Sequence, residues 1–117
     1  MSGLQILVVE DVFIVALDLS HQLEELGCAV VGPASSVKQA LEKLDEGALD
    51  GAVLDVNLAG EQSFPVAQAL ASQGIPFFFL TGYDSAAIVP EEFRRIPRLS
   101  KPVDAKALIG AVSQFRR

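Results

Sequence analysis

The chain has 117 residues, half of them hydrophobic, with a formal net charge of −6. That length suits one domain with one core, expected to span residues 1–117. The acidic balance excludes binding nucleic acid by phosphate neutralisation, which needs a basic surface. No apolar stretch is long enough to span a bilayer, so no membrane contact is expected.

Residues 4–9 (LQILVV) predict a first strand rich in branched side chains. The chain turns acidic at once after it, with no basic n-region, so the opening does not read as a signal peptide. Residues 13–26 carry Ile14, Leu17, Leu23 and Leu26 at helical spacing, and Gly27 is a C-cap stop. His21 in this helix is expected at the surface and not as a phosphodonor. Cys28 is the only cysteine, so no intrachain disulfide is possible; a buried, inert thiol in a reducing, cytoplasmic setting is expected. Residues 29–32 predict a weaker second strand. Ser35 or Ser36 caps a helix through residue 44, with Val37, Ala40, Leu41 and Leu44 on one face and Gly47 ending it.

Residues 52–56 (AVLDV) predict the third strand, with Asp55 near its end. Ser63, with Pro65 in the first turn, opens a helix to residue 72 that Gly74 closes. Residues 76–80 predict the fourth strand, whose unbroken large apolar run implies that both faces are covered. Residues 82–97 are bracketed by Gly82, Pro90 and Pro97 and have weak periodicity, so any helix there is short. Arg94 and Arg95 in this stretch read as a solvated turn. Arg98–Ser100 predicts a brief fifth strand. Asp104 caps a last helix to residue 115, with Leu108, Ile109 and Val112 facing inward.

Alternating strands and helices imply a parallel sheet with helices on both faces. Right-handed crossovers put every strand's carboxyl end on one edge, so the residues just after each strand converge. Those residues are Glu10 and Asp11, then Asp55, then Thr81, then Lys101 and Pro102. Taken singly each has a plain reading as a helix-start acid, a loop residue or a solvated turn. Together they place three carboxylates, one hydroxyl and one ammonium at one end of the sheet. Three acids need compensation, which a divalent oxygen-seeking cation such as Mg²⁺ supplies. Glu10, Asp11 and Asp55 are the natural ligands, with the backbone carbonyl of Asn57 as a further one. Lys101 can pair with Asp55, or with a phosphoryl oxygen, and Thr81 can donate a hydrogen bond to another. The set suits attack by Asp55 on phosphorus, with retention of the phosphoryl group.

The ordered set Glu10-Asp11, Asp55, Thr81 and Lys101-Pro102 resembles the receiver domain of two-component response regulators, over essentially the whole chain. The stretch PFFFLTGYD is similar to the PFxFATGY signature of stand-alone receivers, with Leu80 in place of alanine. The resemblance implies a flavodoxin-like (βα)5 doubly wound sheet of five parallel strands, in order 2-1-3-4-5. It also implies phosphorylation of Asp55 by a histidine kinase or histidine phosphotransfer protein, Mg²⁺ as cofactor, and Thr81 as a switch hydroxyl. Such a protein is a switch that changes partner binding rather than an enzyme with a substrate of its own. Asn57 and Tyr83 stand at the positions that tune dephosphorylation in receivers. Arg98 replaces the aromatic switch residue often found there, and Tyr83 is a candidate substitute. Leu58-Ala59 stands where methionine-proline is common.

Two other classes fit less well. A phosphatase or phosphotransferase with an aspartyl nucleophile usually needs a second aspartate two residues on, where this chain has Asn57. A nucleotide-binding fold of the same shape would want a glycine-rich turn after the first strand, where this chain reads VVEDVF. The chain stops after the last helical pattern, so no output domain is expected, whether it is a stand-alone receiver or a module of a larger regulator.

Overall fold

Large apolar residues in an unbroken run are stable as a strand only where helices cover both faces of the sheet. The computed structural model, which describes residues 3–82 and 88–115, puts such runs at the centre. Strands β1 (Gln5–Val9), β2 (Ala29–Ala34), β3 (Gly51–Asp55), β6 (Phe77–Thr81) and β7 (Arg98–Ser100) form one sheet, in order β2-β1-β3-β6-β7. Every pair is parallel. Counting only these five, the order is the expected 2-1-3-4-5 of the flavodoxin-like fold. All five residues of β3 and all five of β6 are buried.

Side chains alternate across the sheet and build two cores. On one face, Leu7, Val9, Leu54, Phe77 and Phe79 pack with Ala40 and Leu44 of α2 (Val37–Asp45) and Val66, Ala67 and Leu70 of α3 (Phe64–Ser72). On the other, Ile6, Val8, Val53, Phe78 and Leu80 pack with Leu19 and Leu23 of α1 (Phe13–Glu25) and Leu108 and Val112 of α4 (Ala105–Val112). Gly51 lets α4's trailing residue Phe115 lie against β3, because a side chain there would run into the Phe115 ring. The expected caps form: Ser36 accepts from Gln39 N–H at 3.1 Å and Asp104 from Ala107 N–H at 3.1 Å. Cys28 is buried, and burial pushes its thiol pKa up, which keeps it protonated and inert.

One inward-facing expectation, Ile109, fails, and two of the apolar residues at helical spacing in the first helix, Ile14 and Leu17, are exposed. Ile14 is 75% exposed, and Leu17 and Ile109 are each 43% exposed. In α1 the buried stripe is Ala16, Leu19, Ser20 and Leu23, a tight i, i+3, i+4, i+7 set that leaves Leu17 on its flank and Ile14 near the opposite side of the helix. In α4 Leu108 and Val112 centre the stripe, and Ile109, one residue on, swings about 100° away. The second strand also runs two residues past residue 32, and the last helix stops at Val112 instead of continuing to residue 115.

One feature was not legible. After β3 the chain forms a small antiparallel hairpin, β4 (Asn57–Leu58) with β5 (Glu61–Gln62). Its two turn residues, Ala59 (φ 50°) and Gly60 (φ 87°), both have positive φ, as a tight two-residue hairpin requires. Between β6 and β7, where any helix is expected to be short, the described residues hold only 3-10 turns, Glu91–Phe93 among them. The Phe93 ring lies 6.1 Å from that of Phe64, 6.2 Å from Phe77 and 5.9 Å from Phe79. An aromatic cluster, rather than a helical stripe, anchors this connection.

Ala48 carries a left-handed φ of 65° in the connection from α2 to β3, far from the sheet's carboxyl edge. A β-carbon there costs energy that glycine avoids, offset by glycine's looser unfolded chain. Ala48→Gly is therefore expected to stabilise the fold by about 0.5 kcal/mol. A urea midpoint that stays put or falls would show that this φ carries no strain.

Candidate functional site

The carboxyl edge gathers the residues that the alternation predicts. Glu10 follows β1 and is buried at 2% exposure, its N–H bonded to Ala34 O at 3.0 Å. Asp11 beside it is half-buried. Asp55 ends β3 at 4% exposure and Thr81 ends β6 at 5%. Lys101 follows β7, and its N–H bonds to Thr81 O at 3.0 Å. Carboxylate oxygens of Glu10, Asp11 and Asp55 lie within 4.8 Å of one another.

Lys101 Nζ donates to Asp55 Oδ2 at 2.7 Å. It also stands 2.9 Å from Glu10 Oε1, a close ion pair whose angle misses hydrogen-bond alignment, so that buried oxygen has no aligned donor. Asp55 Oδ1 accepts from Asn57 N–H at 3.3 Å, a bond that the β4–β5 hairpin sets up by folding the chain back after β3. The Thr81 hydroxyl donates to Leu99 O at 3.5 Å, a length at which little energy holds it. A cavity of about 350 Å³, lined by residues that include Asp11, Asp55, Asn57, Gly82 and Lys101, opens above these groups.

Electrostatics single out Glu10. Burial, with Asp55 alongside, pushes its carboxyl from 4.5 to about 8, against the opposing pull of Lys101. Burial pulls Lys101 down, but its contacts with Asp55 and Glu10 outweigh that and hold its ammonium above the usual range. One ammonium among three carboxylates leaves the fully ionised cluster with two uncompensated negative charges. All donors are hard oxygens, and Glu10 Oε1 lacks an aligned partner. The set fits a small divalent cation such as Mg²⁺.

Of the residues expected at the site, Glu10, Asp11, Asp55, Asn57, Thr81 and Lys101 are together; Tyr83 lies outside the described residues. The sequence reading missed Val12 and Ala59, which also line the cavity. The only signal for Ala59 was the Ala-Gly pair of the hairpin turn. Val12, Phe13 and Ile14 are 49%, 75% and 75% exposed beside the site. His21 is exposed, as expected.

The sequence profile of the response regulator receiver domain matches residues 6–113. The chain belongs to this family. Receiver domains are signalling switches of two-component systems that accept phosphoryl groups from histidine kinases and generally bind Mg²⁺ in an acidic pocket. SdrG from Sphingomonas melonis Fr1 has a similar solution structure, with a TM-score of 0.88, 42% identity and 98% of each chain covered. The BeF3-activated conformation of SdrG gives a TM-score of 0.80, with 97% of each chain covered. The sensory transduction protein LytT of Bacillus cereus is 27% identical over 117 residues, which is 97% of this chain and 48% of LytT. The chain thus spans about half the length of the curated relatives it matches. As a receiver it carries its acids, hydroxyl and lysine on the expected strand ends. Among the described residues no helix is long and apolar enough to cross a membrane.

Proposed function

We propose that this receiver takes a phosphoryl group onto Asp55 from a phosphohistidine of a histidine kinase or histidine phosphotransfer protein, and that the modification changes its binding to a partner. The observation that carries this reading is the 2.7 Å contact of Lys101 Nζ with Asp55 Oδ2 beneath a cavity large enough for a phosphoryl group. An Asp55 oxygen forms the new P–O bond as the donor P–N bond breaks, and the leaving imidazole nitrogen keeps the electron pair. Lys101 then turns from the carboxylate to a phosphoryl oxygen, which carries more charge. Glu10, Asp11 and Asp55, with the Asn57 carbonyl, would hold Mg²⁺, which when bound supplies charge neutralisation for the phosphoryl oxygens. The Thr81 hydroxyl gives up a long bond to Leu99 O for a shorter one to the phosphoryl group. That exchange biases a two-state element between β6 and β7, with Asn57 and Tyr83 tuning how long the phosphoryl group lasts. Incubation with Mg²⁺ and acetyl phosphate tests the reading: intact mass rises by one phosphoryl group, and an unchanged mass refutes it.

A protein donor must seat on the rim of the cavity, where Val12, Phe13 and Ile14 expose apolar surface. Phe13→Glu is expected to slow transfer from a phosphorylated donor protein about tenfold, since exposed aromatics anchor such contacts. Labelling by acetyl phosphate, which needs no such seat, is expected to keep its rate. Equal slowing of both reactions would place Phe13 in the chemistry instead of the docking.

A further inference from the structure

Seven of the nine lysines and arginines lie in residues 94–117, against one acid, Asp104. Arg94, Arg95 and Arg98 are exposed, and none forms an ion pair with a described residue. They adjoin an apolar groove of about 410 Å³ at the amino-terminal ends of β6 and β7, the opposite pole of the sheet from Asp55. Its walls come from three places in the chain: Ile75 and Pro76 before β6, Ile96 and Pro97 before β7, and Ala111 and Phe115 at the end of α4. The floor is rigid, because Phe115 stacks on Phe78 at 5.7 Å and lies against Gly51. Among the described residues no charged side chain lines the groove. Arg95 and Arg98 flank Ile96 and Pro97 in the chain, both exposed and neither in an ion pair with a described residue.

An apolar slot beside unpaired guanidinium groups is complementary to aliphatic side chains carried on an acidic strand or helix. We propose that this groove docks an acidic amphipathic segment of a partner protein, its aliphatic side chains between Ile75, Ile96 and Ala111 and its carboxylates on Arg95 and Arg98. The site goes beyond phosphoryl transfer at Asp55 and needs no phosphate to be occupied. Its position at the far pole lets a donor sit at the carboxyl edge while this segment is bound.

The test uses the unphosphorylated protein and a fluorescein-labelled synthetic peptide with leucines on one helical face and glutamates on the other. Fluorescence polarisation is expected to show saturable binding that weakens with salt. Amide shifts are expected to cluster at Ile75, Ile96 and Phe115. Arg95→Glu with Arg98→Glu is expected to weaken binding roughly tenfold or more by reversing two rim charges. Ala111→Phe, which fills the slot, is a second variant; circular dichroism and the thermal midpoint check that both variants fold. Peptides with lysine for glutamate, or alanine for leucine, are expected not to bind. Absent saturation, undiminished affinity in the folded double variant, or shifts gathered near Asp11 and Lys101 would each overturn the proposal. So would self-association of the protein alone that the double variant abolishes, because the occupant would then be a second copy.

Discussion

Asp55→Asn abolishes the mass gain with acetyl phosphate and Mg²⁺, while the fold persists. The amide keeps the size of the carboxylate and can still accept from Asn57 N–H through its oxygen, so the end of β3 is not disturbed. It lacks the nucleophilic oxygen anion, and no transfer step survives that loss. The change also removes the charge that Lys101 meets at 2.7 Å, leaving Glu10 as its described partner at 2.9 Å. The expected loss of labelling is complete, well beyond a hundredfold, because the bond-forming atom itself is gone. Intact-mass spectrometry of wild type and variant side by side is the measurement. Labelling of the variant at the wild-type level would move the acceptor to another residue.

The second large effect is on metal affinity. Glu10 has a folded pKa raised from 4.5 to about 8, so the metal-free folded state binds a proton that the unfolded chain has lost. The sign follows: this group's contribution to stability is fully present below 4.5 and is lost as pH rises through about 8. A cation ligated by Glu10 must displace that proton. Affinity for Mg²⁺ is therefore expected to rise by up to about tenfold per pH unit between 4.5 and about 8, then level off. Calorimetry in buffers of different ionisation enthalpy reads the released proton directly. Glu10→Gln is expected to flatten the slope and to spare the metal-free protein its loss of stability on going to pH 8. A slope that persists in that variant would assign the proton to another group.

Much of the edge cluster was legible because its signal is local. Period-two and period-3.6 patterns mark where strands stop and helices start, and parallel crossovers then put every stopping point on one edge. Glu10, Asp11, Asp55, Thr81 and Lys101 needed only that rule. The hairpin after β3 was not legible, since two-residue strands carry no periodicity and Ala59 is not a residue that advertises a positive φ. The exposure of Ile109 was missed for a related reason. Helical spacing says that apolar residues share a face, but packing decides which edge of that face meets the sheet.

The sequence by itself determined the parallel α/β architecture and the chemical types at each strand's carboxyl end, because both depend on residues near one another in the chain. Only the tertiary structure decided the proton affinity of Glu10 and the 2.7 Å reach of Lys101 across 46 positions of sequence to Asp55. It alone also made the groove beside Arg95 and Arg98 out of three separate segments. These are properties of distance and solvent exclusion between remote residues, and folding creates both at once.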